Sequence, residues 1–257
     1  MSIAPRTSLL ACSLLLALAL PCAGATTPAT GVTPGTGSTM GETANQAADA
    51  LFAGFTDRWM AADPNAATAS NYFSGPQQAL LDRQITGRDA ASRHARVALA
   101  REGLQAVQAL DRAALDEGRQ LSVQLMQQQL QQVVDSARHE HLRFPLQQMS
   151  GANVSLPNLL TVIHPLASAD NLDSYLARLA LLPLHMDQAT AQARAMADNG
   201  VLPPDFIIDA TLAQMQQFIA PAAGDNPLVT TLAERGARID GLAQGQHAAA
   251  VETATAL

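Results

Sequence analysis

Lysine is absent from this chain of 257 residues, and all 15 of its basic side chains are arginine. Schiff-base chemistry and lysine nucleophiles are therefore excluded. Cysteine is confined to Cys12 and Cys22. Beyond them the chain has neither a disulfide framework nor a thiolate nucleophile. A chain of this size buries an adequate core without such staples. Positive charge is scarce as well: 22 acids face 15 bases, for a net charge of −7. That balance argues against nucleic acid as a partner and against a polybasic membrane surface. Strand–helix alternation is missing, which argues against a doubly wound sheet. There is no HExxH pair and no G-x-S-x-G elbow. Gly31, Gly35 and Gly37 lie in a Thr/Pro-rich run and do not form a phosphate loop.

The N-terminus reads as an export signal, residues 1–25. Arg6 gives a short positive region, and Leu9 to Leu20 form an apolar stretch too short to span a bilayer comfortably. Ala23-Gly24-Ala25 fits a small-x-small cleavage site, so the mature chain begins at Thr26 and carries no transmembrane segment. The expected location is the periplasm or the medium. Lipid anchoring through Cys22 is the alternative, although Pro21 fits a lipobox poorly. Residues 26–43 are Thr/Gly/Pro-rich and read as a flexible linker. A helical domain, residues 44–257, follows.

Within it the apolar residues recur at helical spacing. Leu51, Phe52, Phe55, Trp59 and Met60 mark a first helix that ends at Asp63-Pro64. Residues 88–112 form another, and 115–142 give the longest uninterrupted pattern. Its expected core face is Leu121, Leu125, Val133 and Val134, opposite a glutamine-rich face. Residues 145–158, with Gly151, Asn153 and Pro157, are the least helical, and a short extended segment is expected near 151–158. Asp170 or Asn171 caps the next helix, which Pro183 kinks or splits and Asn199-Gly200 ends. Pro203-Pro204 and Asn226-Pro227 start two more. From Leu228 to Leu257 no clear stop signal appears. The expected fold is mainly α, an irregular multi-helix array.

The residues that could carry chemistry are few. His139-Glu140-His141 is the only histidine cluster, and at i and i+2 two helical side chains diverge by about 200°, so they could share a metal only where the helix has already unwound. The cluster reads as a helix C-terminus, where histidine favours the dipole. His164-Pro165 follows an apolar run and reads as structural, its ring bonded to a loop carbonyl. His185 sits beside Pro183 and reads as a helix-surface or interhelical residue. Arg178 lies mid-helix beside Tyr175 and Leu179, where a solvated or interhelical salt bridge is expected. Arg143 begins the irregular stretch and reads as holding a loop. No catalytic, cofactor-binding or metal-ligating residue is assigned.

Five segments in this order and spacing resemble one family: DRWMAADPNAAT (57–68), RFPLQQMSG (143–151), LPNLLTVIHPL (156–166), NLDSYLARLALLP (171–183) and NGVLPPDFIID (199–209). They resemble the N-terminal half of the bacterial domain-of-unknown-function family 885. The resemblance implies a mostly helical, zincin-like protein of two halves around a cleft. In longer members the second half supplies an HExxH helix, zinc and the general base. This chain reaches Leu257 without that helix, so no catalytic residue carries over and zinc is expected only in the longer members. What carries over is one wall of a cleft, for which Gly151, Asn153 and Ser155 are the candidate lining residues.

The expectation is thus an exported helical N-terminal portion of a zinc-peptidase-like protein, truncated and inactive alone. Its partners would be a peptide substrate or the missing C-terminal half. The alternative is a stand-alone periplasmic helical binding or interaction protein. A metal-free serine-type hydrolase has no motif in its favour.

Overall fold

The computed structural model describes residues 37–257. The expected signal and both cysteines lie outside the described residues, as do positions 26–36 of the expected linker. Positions 37–43 are instead the first turns of helix α1 (Gly37–Ala61).

Among the described residues there are ten α-helices and no strand, so the chain is mainly α as expected. They build two apolar cores. The first lies between α1, α4 (Ala90–Gln108) and α5 (Glu117–Ser136) and holds Phe52, Phe55, Val107, Val123, Met126 and Leu130. Gly103 of α4 meets the Phe55 ring so closely that a Cβ there would lie 2.2 Å from a ring carbon. Trp59 stacks on Phe55 at 5.7 Å, and the Arg96 guanidinium covers Trp59 at 3.9 Å, a cation–π contact. The core face of α5 matches the expected one at Val133 and Val134, which pack against this core, and differs in the first half of the helix. Leu121 and Leu125 are exposed, at 56% and 48%, while Val123, Met126 and Leu130 are buried. The stripe Val123, Met126, Leu130 also obeys i, i+3, i+7 spacing, and only the position of α4 decides between the two.

The second core joins α6 (Ala152–Asn158), α7 (Ala169–Asp198), α9 (Pro227–Gly236) and α10 (Gln246–Ala256) around Leu156, Leu160, Leu172, Tyr175 and Leu232. The extended segment expected near 151–158 is not extended. Residues 152–158 are α-helical, and Leu159–Ile163 continue as a π-helical turn. Pro157 has no N–H to give the helix. The turn after it closes with a wider bond, His164 N–H to the Leu159 carbonyl at 2.8 Å. Gly151 fits because its α-carbon lies against the Gln147 backbone, 2.3 Å from where a Cβ would be.

The longest helix is α7, 30 residues that pass through Pro183 without a break. Its cap is Ser168, whose hydroxyl accepts from the Asn171 N–H at 3.3 Å, rather than Asp170 or Asn171. The Asn171 side chain instead accepts from the Ala167 N–H. Asn226 caps α9 as expected, accepting from Leu228 N–H at 3.0 Å. Beyond it the continuous pattern to Leu257 divides in two. Gly241 and Gly245 take φ values of 75° and 81°, a left-handed conformation natural to glycine, and turn the chain from α9 into α10. The short helices α2 (Pro64–Ser70) and α3 (Gly75–Asp82) pack on each other and link the two cores, α2 against α1 and α3 against α7. Helix α8 (Asp205–Ile219) rides on the outside, with Phe206, Leu212 and Ile219 exposed.

Candidate functional site

The largest fully buried side chain among the described residues is that of Arg178, midway along α7. Its Nε donates to the Gln84 carbonyl at 2.8 Å. Nη2 donates to the Leu81 carbonyl at 3.1 Å, the Pro64 carbonyl at 3.4 Å and the Thr68 hydroxyl at 2.6 Å. The Thr68 hydroxyl in turn donates a hydrogen bond to Asp82 at 2.6 Å, and Gln78 donates to the same oxygen at 2.7 Å. Nη1 meets Nδ1 of His164 at 3.1 Å. Arg178 is therefore neither solvated nor in a direct salt bridge. Backbone carbonyls take most of its donors, and Asp82 balances its charge through Thr68. Desolvation lowers its pKa to about 10, so it stays charged at neutral pH.

His164 completes the network. Nε2 lies 3.0 Å from the Asn171 carbonyl, which can only accept, so Nε2 carries the proton and Nδ1 accepts from Arg178. Burial, first of all, and the neighbouring Arg178 and Arg235 push its pKa down to about 4, against the opposing effect of the Asn171 bond. The Arg235 guanidinium bonds the carbonyls of Thr161 and His164 at 3.1 and 2.7 Å, which ties α9 to the π-turn. Tyr175 sits edge-on to the imidazole at 5.5 Å and donates to the Leu228 carbonyl at 2.6 Å. Every ring nitrogen and nearly every guanidinium donor here is occupied by protein. The cluster joins α2, α3, α7, α9 and the π-turn, and it has no atom free to act on a substrate.

The concave surface lies elsewhere, in two open grooves that share α8. One, about 510 Å³, runs between α6, α7, α8 and the end of α10, with Leu156, Leu182, Met186, Met215 and Phe218 among its walls. It is mainly apolar. The other, about 620 Å³, is the more polar of the two, with Arg88, Arg93, Glu140 and Arg143 beside an apolar side that includes Phe144 and Ile207.

The three candidate lining residues separate at this point. Asn153 lines the apolar groove. Its Oδ1 accepts from Gln147 N–H at 3.2 Å, and its Nδ2 donates to Gln214 of α8 at 3.1 Å. Ser155 binds Arg88, accepting from Nη2 at 2.7 Å, and donates to the Gly151 carbonyl. Gly151 is buried at the start of α6. Spacing alone did not reveal Arg88 or Arg93. An arginine among polar neighbours gives no sign in sequence of whether an acid will meet it.

The remaining histidines do not gather. His139 and His141 lie in a 3-10 turn, Ala137–Leu142, where Glu140 is engaged by Arg93 at 3.3 Å. His185 is buried with Nδ1 unpartnered. Desolvation first, then Arg88, lowers its pKa. Among the described residues no group of three or more His, Cys, Asp or Glu is placed to hold a metal ion. Both His164 nitrogens are engaged by protein, and His185 lies within the fields of Arg88 and Asp89, so neither histidine belongs to a zinc-ligand set among the described residues.

A family model described as "Bacterial protein of unknown function (DUF885)" matches residues 64–257. The chain belongs to the DUF885 family. No curated protein matches it. Among solved structures it is similar in fold to the "putative lipoprotein from Colwellia psychrerythraea", with a TM-score of 0.60 at 14% identity. That match covers 86% of the present chain and 38% of the Colwellia chain, so this DUF885 protein spans well under half of its solved neighbour's length. No helix among the described residues is long and apolar enough to cross a membrane.

Proposed function

We propose that this DUF885 chain is the exported helical portion of a zinc-peptidase-like protein. It builds one wall of a peptide-binding cleft and leaves metal binding to residues beyond those described. The observation that carries this reading is α8. It borders both grooves, yet Phe206 and Ile219 stand 69% and 72% exposed. Apolar surface left open along a groove marks a contact surface, and a chain spanning 38% of its solved neighbour leaves room for a further half to meet it. Zinc and the general base would come with that half, in line with the zincin-like character implied by the five sequence segments. Export, by cleavage after Ala25 or through a lipid on Cys22, belongs to the same proposal.

The test is hydrolysis of a mixed peptide library by the purified chain, with and without added zinc. The expected result is no metal-dependent cleavage. Turnover that a chelator abolishes would overturn the reading. The alternative, a self-sufficient periplasmic binding protein, draws on the apolar groove, whose walls on α6, α7, α8 and α10 all come from this chain. It predicts a monodisperse chain that melts cooperatively, whereas the cleft-wall reading predicts self-association through α8.

A further inference from the structure

We propose that the polar groove beside α8 is a binding site for a small organic carboxylate with an apolar body. The first observation is a charge imbalance. The chain is acidic overall, yet this groove is lined by Arg88, Arg93 and Arg143 against one acid, Glu140. Glu140 is engaged by Arg93. Among the described residues neither Arg88, half-buried, nor Arg143, exposed, has an acidic partner.

The second observation is how those two are held. Arg88 is half-buried, and its guanidinium makes a single hydrogen bond, to the neutral hydroxyl of Ser155 at 2.7 Å. Desolvation lowers its pKa, with no acid opposing the shift. Burying a cation without an anion is costly, and the rest of its planar fork is free to bind one. Arg93 steadies that segment by donating to the Arg88 carbonyl and to Gln192 at 3.3 Å. Arg143 has no side-chain partner among the described residues, and its backbone N–H is fixed on the Glu140 carbonyl at 3.1 Å. The arginine fork matches a two-oxygen carboxylate.

The remaining walls select the body of the ligand. Phe144, Pro145, Leu202 and Ile207 give the groove an apolar side. The nearby start of α8 does not favour a dianion. Pro203 and Pro204 offer no N–H donors, and Asp205 places a negative charge in the first turn. At about 620 Å³, the space suits a ligand the size of an acylated amino acid. This inference stands independently of the zinc-peptidase reading, because it uses only groups within this chain.

The experiment titrates the full-length mature chain with N-acetyl-phenylalanine, its C-terminal amide and orthophosphate, and follows the arginine Nε–H signals by NMR. The expected result is saturable shifts at Arg88 and Arg143 with the carboxylate and none with the amide. Orthophosphate should bind at least about tenfold more weakly than the carboxylate, the cost of losing the fit to the apolar wall. Arg143→Gln should weaken carboxylate binding about tenfold with the thermal midpoint unchanged, since Arg143 supports nothing in the fold. Arg88→Gln should do the same, and its melting curve separates lost binding from lost folding. Three results would overturn the proposal: no saturable shift with the carboxylate, equal binding of the amide, or orthophosphate binding as tightly as the carboxylate.

Discussion

The Arg178 guanidinium donates to Nδ1 of His164 at 3.1 Å, and that bond holds the imidazole as a neutral Nε2–H tautomer between a cation and a carbonyl. The pair sits where α2, α3, α7 and the π-turn converge, and its loss should be felt across both cores. Arg178→Ala strands the carbonyls of Leu81 and Gln84 and leaves a cavity. The expected loss is roughly 3–5 kcal/mol in urea unfolding. Arg178→Lys keeps the charge but not the fork, and should lose about half of that. A loss below about 1 kcal/mol for the alanine variant would show that the network is incidental.

His164 also makes the fold acid-sensitive in a defined window. Its unperturbed value is 6.5, and the folded protein holds it at about 4. Between those two values the unfolded chain binds a proton that the folded chain refuses, so stability increases with pH there. The contribution is fully present above about pH 6.5 and is lost as pH falls toward 4, with a total of about 3 kcal/mol. Urea midpoints from pH 7 to pH 4.5 should fall more steeply for the parent than for His164→Gln. Parallel slopes would contradict the assignment.

Gly103 and Phe55 set the distance between α1 and α4. A Cβ at Gly103 would stand 2.2 Å from the Phe55 ring, so Gly103→Ala should destabilise by about 1–3 kcal/mol through overpacking. Pairing it with Phe55→Leu should recover part of that loss. Strictly additive losses would mean that the close approach is not the cause.

Gly245, at φ 81°, starts α10 in a conformation that a side chain disfavours. Gly245→Ala should cost about 1 kcal/mol and lower the thermal midpoint. A midpoint that stays level or rises would show that the turn adapts.

The open face of α8 should behave as apolar surface. The chain should bind the dye ANS at neutral pH, and replacing Phe206, Leu212 and Ile219 with serine should remove most of that signal without lowering the thermal midpoint. Strong dye binding that persists in the triple variant would place the apolar surface elsewhere.

Helix content was legible in the sequence because apolar spacing and proline punctuation act locally. Asn226-Pro227 and Asn199-Gly200 mark real boundaries for that reason. The phase of α5 was not legible. Leu121 and Val123 both fit a helical stripe, and only contact with α4 chooses between them. Pro183 and Pro157 misled in the same direction, since packing on both sides of α7 and a wider π-turn accommodate residues that would break an isolated helix. The candidate lining residues were only partly legible. Asn153 lines a groove and Ser155 anchors Arg88. The unpaired state of Arg88 and Arg143 arises from the folding of distant segments onto one another, and no local pattern encodes it.

The measurement that tests the central claim most directly is hydrolysis of a mixed peptide library by the purified chain, with zinc and with a chelator. The account predicts no metal-dependent cleavage by this chain alone. Turnover that the chelator abolishes would contradict it.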